Sequence, residues 1–206
     1  IANSKFVQHR IKNHWNRDSL VIYPPVEVPE ISAANYHGAF VSLSRLVPYK
    51  RVDIIINAFH KLPEKKLIVI GSGSQLQKLK MNAPKNVDFA ENVSNVQKFR
   101  ILKGALGLIQ ASKEDFGISV VEAQALGIPV LAYDEGGARE TVLDMNKSNN
   151  PTGLLFKYQN EDSLIQAILE FSKIKFEPED CKSHAKKFSA GNFKAKMVNV
   201  INTLTS

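Results

Sequence analysis

The sequence has a single cysteine and no long apolar run, and each scarcity excludes a class of protein. Cys181 has no second cysteine to pair with, so a disulfide scaffold is excluded and a reducing compartment is favoured. No apolar run approaches the roughly 20 residues that span a bilayer as a helix. The chain opens on Ile1, without an initiator methionine and without the apolar core of a signal peptide. We therefore expect a cytoplasmic piece of a longer protein.

Acidic residues are scarcer than basic ones. Asp and Glu number 20 against 27 Lys and Arg, which gives a formal net charge of +7 over 206 residues. This excess favours an anionic ligand or surface and raises nucleic acid as one alternative. The cations are scattered, however, and no aromatic-studded strand like that of an RNA-recognition domain is present. We therefore predict that the chain binds no nucleic acid.

Short apolar runs alternate with amphipathic stretches. Leu67-Ile68-Val69-Ile70 is continuously apolar, as is typical of a strand buried on both faces of a parallel sheet. Six such signals, separated by helical ones, predict a doubly wound, Rossmann-like α/β fold with a six-stranded parallel sheet. Such sheets bind ligands beyond the carboxyl ends of their strands. The predicted strands are Ala39–Leu43, Leu67–Ile70, Val87–Phe89, Ala105–Gln110, Val130–Tyr133 and Gly153–Phe156.

The two ends of the chain differ from this pattern. Ser4 to Trp15 predicts a basic helix, and a short strand, Leu20–Ile22, is expected after it. Prolines 24, 25 and 29 then indicate a stiff connector. Phe193 to Leu204 predicts a basic amphipathic helix at the other end.

The loop after the first predicted strand is basic. Arg45 and Lys50 lie just ahead of a helix, whose N-terminus already favours anions. The planar fork of Arg45 and the point charge of Lys50 suit a diphosphate. A solvated basic turn explains the same residues about equally well.

The next loop, Gly71-Ser72-Gly73-Ser74, follows a strand signal and opens a helix. It resembles the dinucleotide-binding fingerprint, but Leu76 stands where that fingerprint requires Gly or Ala. A tight turn that allows close packing is the stronger interpretation.

The stretch from Glu114 to Ala123 follows an apolar strand and runs into a helix. Gly117 lets the backbone approach a ligand, and the N–H groups of residues 118–120 are expected to face an anion. Glu114 in the loop and Glu122 one turn into the helix flank that position. Two carboxylates around an anion-binding helix end suit a sugar nucleotide. For either glutamate alone, an ordinary helix or surface role explains it better.

Together these residues resemble the retaining glycosyltransferases of family 4, which have the two-domain GT-B fold. Glu114 and Glu122 form that family's E-x7-E pattern. One departure is Ser44, where the family usually has glycine. The resemblance runs in collinear order from about Pro24 to Lys173. Further segments that carry it are Leu43–Lys50, Leu67–Gly73, Glu122–Val130, Gly136–Glu140 and Thr152–Leu155.

The resemblance implies a role for each matching residue. Arg45 and Lys50 are expected to bind the donor diphosphate, and Glu114 the donor sugar, so these three are the predicted catalytic residues. Glu122 is expected to hold the ribose hydroxyl groups, and Val93 to lie near the base. The other predicted donor-binding residues are Ser44, Gly71, Gly73, Phe116, Gly117, Ile118, Ser119 and Val120.

The resemblance also implies a reaction and a donor. It implies hexosyl transfer with retention at the anomeric carbon, without a metal ion or other cofactor; no D-x-D or His/Cys cluster stands out in the sequence. The segments Val21–Val26, Glu114–Gly117 and Gly136–Val142 look like those of bacterial polysaccharide mannosyltransferases. GDP-mannose is therefore the leading expected donor. A sugar-nucleotide epimerase and a basic non-catalytic binding domain are the alternatives.

A GT-B enzyme has a separate acceptor domain, which sets the expected division of the chain. Residues 1–24 are expected to be the tail of that domain and a linker. Residues 25–190 would form the donor-binding domain, and residues 191–206 a helix that crosses back. We expect the chain to bind a nucleotide sugar but to turn over poorly without the acceptor domain. A glycan or lipid-linked acceptor would place the enzyme at the inner face of the plasma membrane.

Overall fold

A computed structural model describes residues 1–31 and 34–205. Six parallel strands form one sheet, and helices pack on both of its faces. The strands are β1 (Phe40–Leu43), β2 (Leu67–Ile70), β3 (Val87–Ala90), β4 (Gly107–Gln110), β5 (Val130–Tyr133) and β6 (Gly153–Phe156). The helices are α1 (Lys5–Trp15), α2 (Val52–His60), α3 (Leu76–Met81), α4 (Asn95–Lys103), α5 (Ile118–Ala125), α6 (Ala138–Thr141), α7 (Glu161–Phe171), α8 (Pro178–Ala185) and α9 (Ala190–Thr205).

The strand order is β3-β2-β1-β4-β5-β6, which confirms the predicted doubly wound fold. The chain builds outwards from β1 to β3 and then returns to add β4 on the other side of β1. The order therefore reverses between β1 and β4, and the loops that follow these two strands diverge. In open α/β sheets such a switch point leaves a crevice beyond the carboxyl ends of the strands, where ligands bind.

Apolar side chains of each strand alternate between two buried layers. Phe40 packs in the layer that contains α2 and α7, whereas its neighbour Val41 packs in the layer that contains α5. Both are fully buried, which explains why the strands read as continuous apolar runs. Burial of each large side chain stabilises the fold by roughly 1.5–3 kcal/mol.

Local sequence signals set the helix ends around the sheet. Ser94 and Gln97 form a capping box at the start of α4. The Asn160 side chain accepts the Ser163 N–H at the start of α7. Helix α5 is different, because its N-cap is Gly117 and no side chain in the described part of the chain caps it.

Some predicted elements differ from the structure. The expected strand Leu20–Ile22 is only an isolated bridge between Ala2 and Val21, since Pro24 and Pro25 lack the N–H groups that would extend a ladder. Strand β4 begins at Gly107 rather than Ala105, because the Ala105 N–H still bonds the Leu102 carbonyl at the end of α4.

Helix α8 was not predicted. Its sequence has no apolar repeat, and its buried residues are Cys181, His184 and Ala185. The helix nevertheless packs along α5.

Candidate functional site

A cleft of about 390 Å³ lies at the switch point between β1 and β4. The loop after β1 supplies one wall, and the loop after β4 together with the start of α5 supplies the other. Its lining residues are Asn3, Pro24, Leu43, Ser44, Lys50, Gln110, Glu114, Asp115, Phe116, Gly117, Ile118, Ser119 and Glu122.

An ion pair joins the two walls. The Lys50 Nζ lies 2.5 Å from Glu114 Oε1, and the Ser112 hydroxyl donates to the same oxygen at 2.6 Å. The two charged side chains are only 16% and 18% exposed. At such burial water screens the charges weakly, so the pair fixes the lysine and the carboxylate against each other.

The first turn of α5 faces the cleft between these walls. Gly117 has φ +92°, a conformation that residues with a Cβ rarely adopt. Because no described side chain caps the helix, the N–H groups of Ile118 and Ser119 lack the usual acceptor. Both residues line the cleft, so this helix end offers donors and a positive partial charge to an anion.

Glu122 lies one turn further along α5 and is also paired. Its Oε1 is 3.0 Å from Lys98 Nζ, and the two side chains are 14% and 18% exposed. Lys98 comes from α4 and also lies 4.0 Å from the centre of the Phe99 ring. Lys98 was not predicted from the sequence, because no local pattern indicates which carboxylate it meets.

Several predicted donor-binding residues do not line the cleft. Arg45 is exposed, and its guanidinium donates to the Tyr49 hydroxyl at 3.1 Å. The Val120 side chain is fully buried in the core. Five of the predicted residues are not among the described residues that line the cleft: Arg45, Gly71, Gly73, Val93 and Val120.

Gly71 and Gly73 contact the β1 loop instead. A Cβ on Gly71 would lie 1.9 Å from the Ser44 carbonyl oxygen, and one on Gly73 would lie 2.4 Å from that of Leu46. The Leu46 N–H donates to the Ser72 carbonyl at 2.8 Å. These glycines therefore let two loops pack backbone against backbone, as the tight-turn interpretation expects.

Gly136 and Gly137 support the opposite wall in the same way. The Gly137 N–H donates to the Glu114 carbonyl at 2.8 Å. A Cβ on Gly136 would lie 2.2 Å from that oxygen, and one on Gly137 would lie 2.5 Å from the Phe116 Cα. The pair holds the Glu114–Phe116 backbone from behind.

Two polar atoms at the floor of the cleft have no hydrogen-bond partner among the described residues. They are Gln110 Oε1 and Ser44 Oγ, and both are buried. The Gln110 amide lies beneath Gly117, about a van der Waals contact from where a Cβ would be. Buried polar atoms normally find partners, so these two retain unused hydrogen-bonding capacity beside the cleft. The sequence signal for Gln110 is a polar residue that ends an apolar strand.

The described residues offer neither a metal centre nor a membrane-spanning helix. Within residues 1–31 and 34–205, no three His, Cys, Asp or Glu side chains come together as a metal ion would need. No helix in those ranges is both long and apolar enough to cross a membrane.

The fold and this cleft define a doubly wound α/β domain whose switch-point cleft holds a helix N-terminus between a lysine and two carboxylates. Residues 32–188 match the family described as glycosyl transferases group 1. The match covers most of the chain, and the chain therefore belongs to this family.

Named relatives and solved structures are similar to the chain. It is 32% identical over 142 residues to the GDP-mannose-dependent monoacylated alpha-(1-6)-phosphatidylinositol monomannoside mannosyltransferase of Corynebacterium glutamicum, covering 62% of this chain and 36% of that protein. It is 30% identical over 142 residues to the poly(glycerol-phosphate) alpha-glucosyltransferase of Bacillus subtilis, covering 65% and 20%. The crystal structure of Anabaena HepE with UDP and glucose matches with TM-score 0.79 at 20% identity, covering 98% and 62%. The chain thus spans less than half the length of these two curated relatives.

Proposed function

We propose that this chain is the donor-binding part of a retaining, metal-independent hexosyltransferase. It binds a nucleoside-diphosphate sugar, GDP-mannose first, for transfer to a polysaccharide or lipid-linked glycan. The observation that carries the proposal is the Lys50–Glu114 pair beside the uncapped start of α5 at the switch point.

The diphosphate would lie between Lys50 and the first turn of α5. Lys50 supplies a full charge and α5 a partial one, and both lie on walls of the same cleft. Arg45 lies on the loop that carries Lys50, and its guanidinium donates to the Tyr49 hydroxyl. Its exposed side chain would turn towards the phosphates from the rim.

The Lys50–Glu114 pair would couple the nucleotide to the sugar. When a phosphate pairs with Lys50 in place of Glu114, the Glu114 carboxylate is free to accept hydrogen bonds from hydroxyl groups of the donor sugar. Glu122, now paired with Lys98, would hold the vicinal hydroxyl groups of the ribose. Gln110 lies beneath Gly117 with an unused acceptor, which would take a hydrogen bond from a hydroxyl group of the sugar.

This arrangement suits departure of a nucleoside diphosphate. In the transfer, the bond from the anomeric carbon to the phosphate oxygen breaks and a bond to an acceptor oxygen forms, while the acceptor proton passes to the leaving diphosphate. Lys50 and the α5 N–H groups would stabilise the charge that develops on that oxygen. Glu114 would orient the sugar for the reaction.

The relatives favour a hexosyl donor, and they differ in the nucleotide base of that donor. The Corynebacterium relative is GDP-mannose-dependent by name, and the Anabaena structure holds UDP and glucose. We rank GDP-mannose first and a UDP-hexose second. The acceptor and the activity of the whole enzyme are further proposals, as is its place at the inner face of the plasma membrane, which the +7 charge would favour.

Calorimetry with GDP, GDP-mannose, UDP-glucose and UDP-N-acetylglucosamine tests the proposal. Lys50→Met should weaken GDP and GDP-mannose alike by about tenfold, because both lose a charge-assisted bond. Glu114→Gln should weaken GDP-mannose by about fivefold and leave GDP as tight or tighter, since Lys50 is then released to the phosphate.

Lys61→Met is the matched control. Lys61 follows α2 and pairs with Glu161 and Asp162, away from the cleft, so donor affinity should not change. A chain that binds none of the four ligands would contradict the proposed function. Equal losses of GDP and GDP-mannose in Glu114→Gln would contradict the role given to that residue.

A further inference from the structure

Helix α1 precedes the family match and yet contacts the wall of the cleft. The Arg10 guanidinium donates two hydrogen bonds to the Asp115 carboxylate, Nη1 to Oδ1 at 2.8 Å and Nη2 to Oδ2 at 3.1 Å. Asp115 lies between Glu114 and Phe116, both predicted to contact the donor. Helix α1 is thus hydrogen-bonded to the loop that carries the proposed sugar-binding carboxylate.

Glu140 fixes the start of the same helix. Its carboxylate accepts the backbone N–H groups of Lys5 and Phe6, each at 2.8 Å. A carboxylate at this helix end meets unsatisfied donors and the positive end of the dipole. Glu140 also accepts the Tyr23 hydroxyl at 2.9 Å. Three donors of the N-terminal segment, residues 1–24, are thus bound to one carboxylate of α6.

Tyr23 extends the contact to the next residue of the loop. Its ring centre is 5.8 Å from that of Phe116 and 5.2 Å from that of Phe188. Burial, and then the bond to Glu140, raises the pKa of Tyr23 to about 12, so its hydroxyl stays a donor at neutral pH. Together with the Gly137 bond to Glu114, consecutive loop residues 114, 115 and 116 are each held from outside the cleft.

The Arg10–Asp115 pair is poorly placed to act through stability alone. Its side chains are 49% and 46% exposed, and exposed ion pairs contribute little to stability because water and salt screen them. The two hydrogen bonds instead fix the orientation of the two side chains relative to each other, because a planar guanidinium and a carboxylate align both of their atom pairs.

We propose that Arg10 is a positioning residue for the donor site, which sets the Glu114 carboxylate through its bidentate bond to Asp115. The inference rests on the proposed function for the identity of the ligand. It makes the N-terminal segment, which also lines the cleft through Asn3 and Pro24, part of the donor site rather than a neighbour of it.

Arg10→Ala tests the inference, with Lys12→Ala as the matched control. Lys12 lies on the same helix and pairs with Asp18, remote from the loop. Calorimetry should show GDP-mannose weakened about fivefold in Arg10→Ala and GDP changed less than twofold, a coupling of about 1 kcal/mol. Arg10→Lys keeps the charge without the fork, and we expect it to recover only part of the affinity for GDP-mannose.

Amide hydrogen exchange of the ligand-free chain gives an independent readout. Exchange across residues 112–118 should be faster in Arg10→Ala and in Arg10→Lys, and unchanged in Lys12→Ala. This arm tests the contact even where no donor binds, which separates its failure from that of the proposed function. Unchanged exchange in both Arg10 variants overturns the inference, and so does an equal loss of GDP and GDP-mannose.

Discussion

The substitution Gly137→Ala adds one methyl group behind the wall of the cleft. Gly137 has φ −65° and ψ −19°, which alanine adopts without strain, and it caps the short helix α6. The added carbon would lie 2.5 Å from both the Cα and the carbonyl oxygen of Phe116. Any effect must therefore come from contact with the loop, and not from the conformation of residue 137.

The geometry gives the size of the effect. Ordinary contacts of a Cβ begin near 3.4 Å, so the loop must move by about 1 Å. Overpacking of this kind costs about 1–3 kcal/mol of unfolding free energy. Because a 1 Å misplacement of catalytic geometry can cost about 100-fold in rate, we expect at least a tenfold loss of GDP-mannose affinity.

Calorimetry and thermal melting measure the two losses. Gly191→Ala is the control, since Gly191 lies in α9 and, among the described residues, the added carbon would meet just Ser189 Oγ, at 4.0 Å. Alanine there, in the first turn of α9, should change stability little and leave donor affinity unchanged. If Gly137→Ala melts and binds like the wild type, the argument that this glycine supports the loop is refuted.

Two further predictions concern buried groups outside the cleft. Burial, aided by the Lys187 charge and opposed by the Thr141 backbone, lowers the pKa of His184 from 6.5 to about 4. As pH falls, this histidine is protonated in the unfolded chain before it is protonated in the folded chain. The free energy of unfolding is therefore full above pH 6.5 and falls by up to about 3 kcal/mol as pH drops to 4. Thermal melting of wild type and His184→Gln against pH checks this, and parallel curves would contradict it. Burial raises the pKa of Cys181 to about 12, so its thiol should react with a disulfide reagent only after unfolding, and rapid labelling of the native chain would refute this.

The fold was predictable because its signals are local. Strands β2, β5 and β6 have the bounds predicted from their apolar runs, since each run is buried on both faces and ends at a turn. Helix α8 was missed because its core-facing residues are few and show no helical repeat. It is set by packing on α5, a contact between segments about 60 residues apart, which no local pattern records.

The candidate site was predictable to the extent that strand ends determine it. Lys50, Glu114 and Glu122 follow β1 and β4, and the parallel sheet brings the loops after those strands to one cleft. Lys98 and Arg10 were missed for a different reason. Each reaches its carboxylate from a helix outside that loop pair, so the pairing depends on how helices pack and not on spacing along the chain.

The paired glycines show how the two walls are set. In the sequence, Gly71 with Gly73 and Gly136 with Gly137 allow either ligand approach or close packing, since both need a residue without Cβ. In the structure, the first pair follows β2 and presses on the β1 loop, whereas the second follows β5 and presses on the β4 loop. Each wall of the switch-point cleft is therefore supported by a turn from the strand beside it. A larger residue at any of the four positions should act on the site through the loop it displaces, and so should disturb binding without touching the donor.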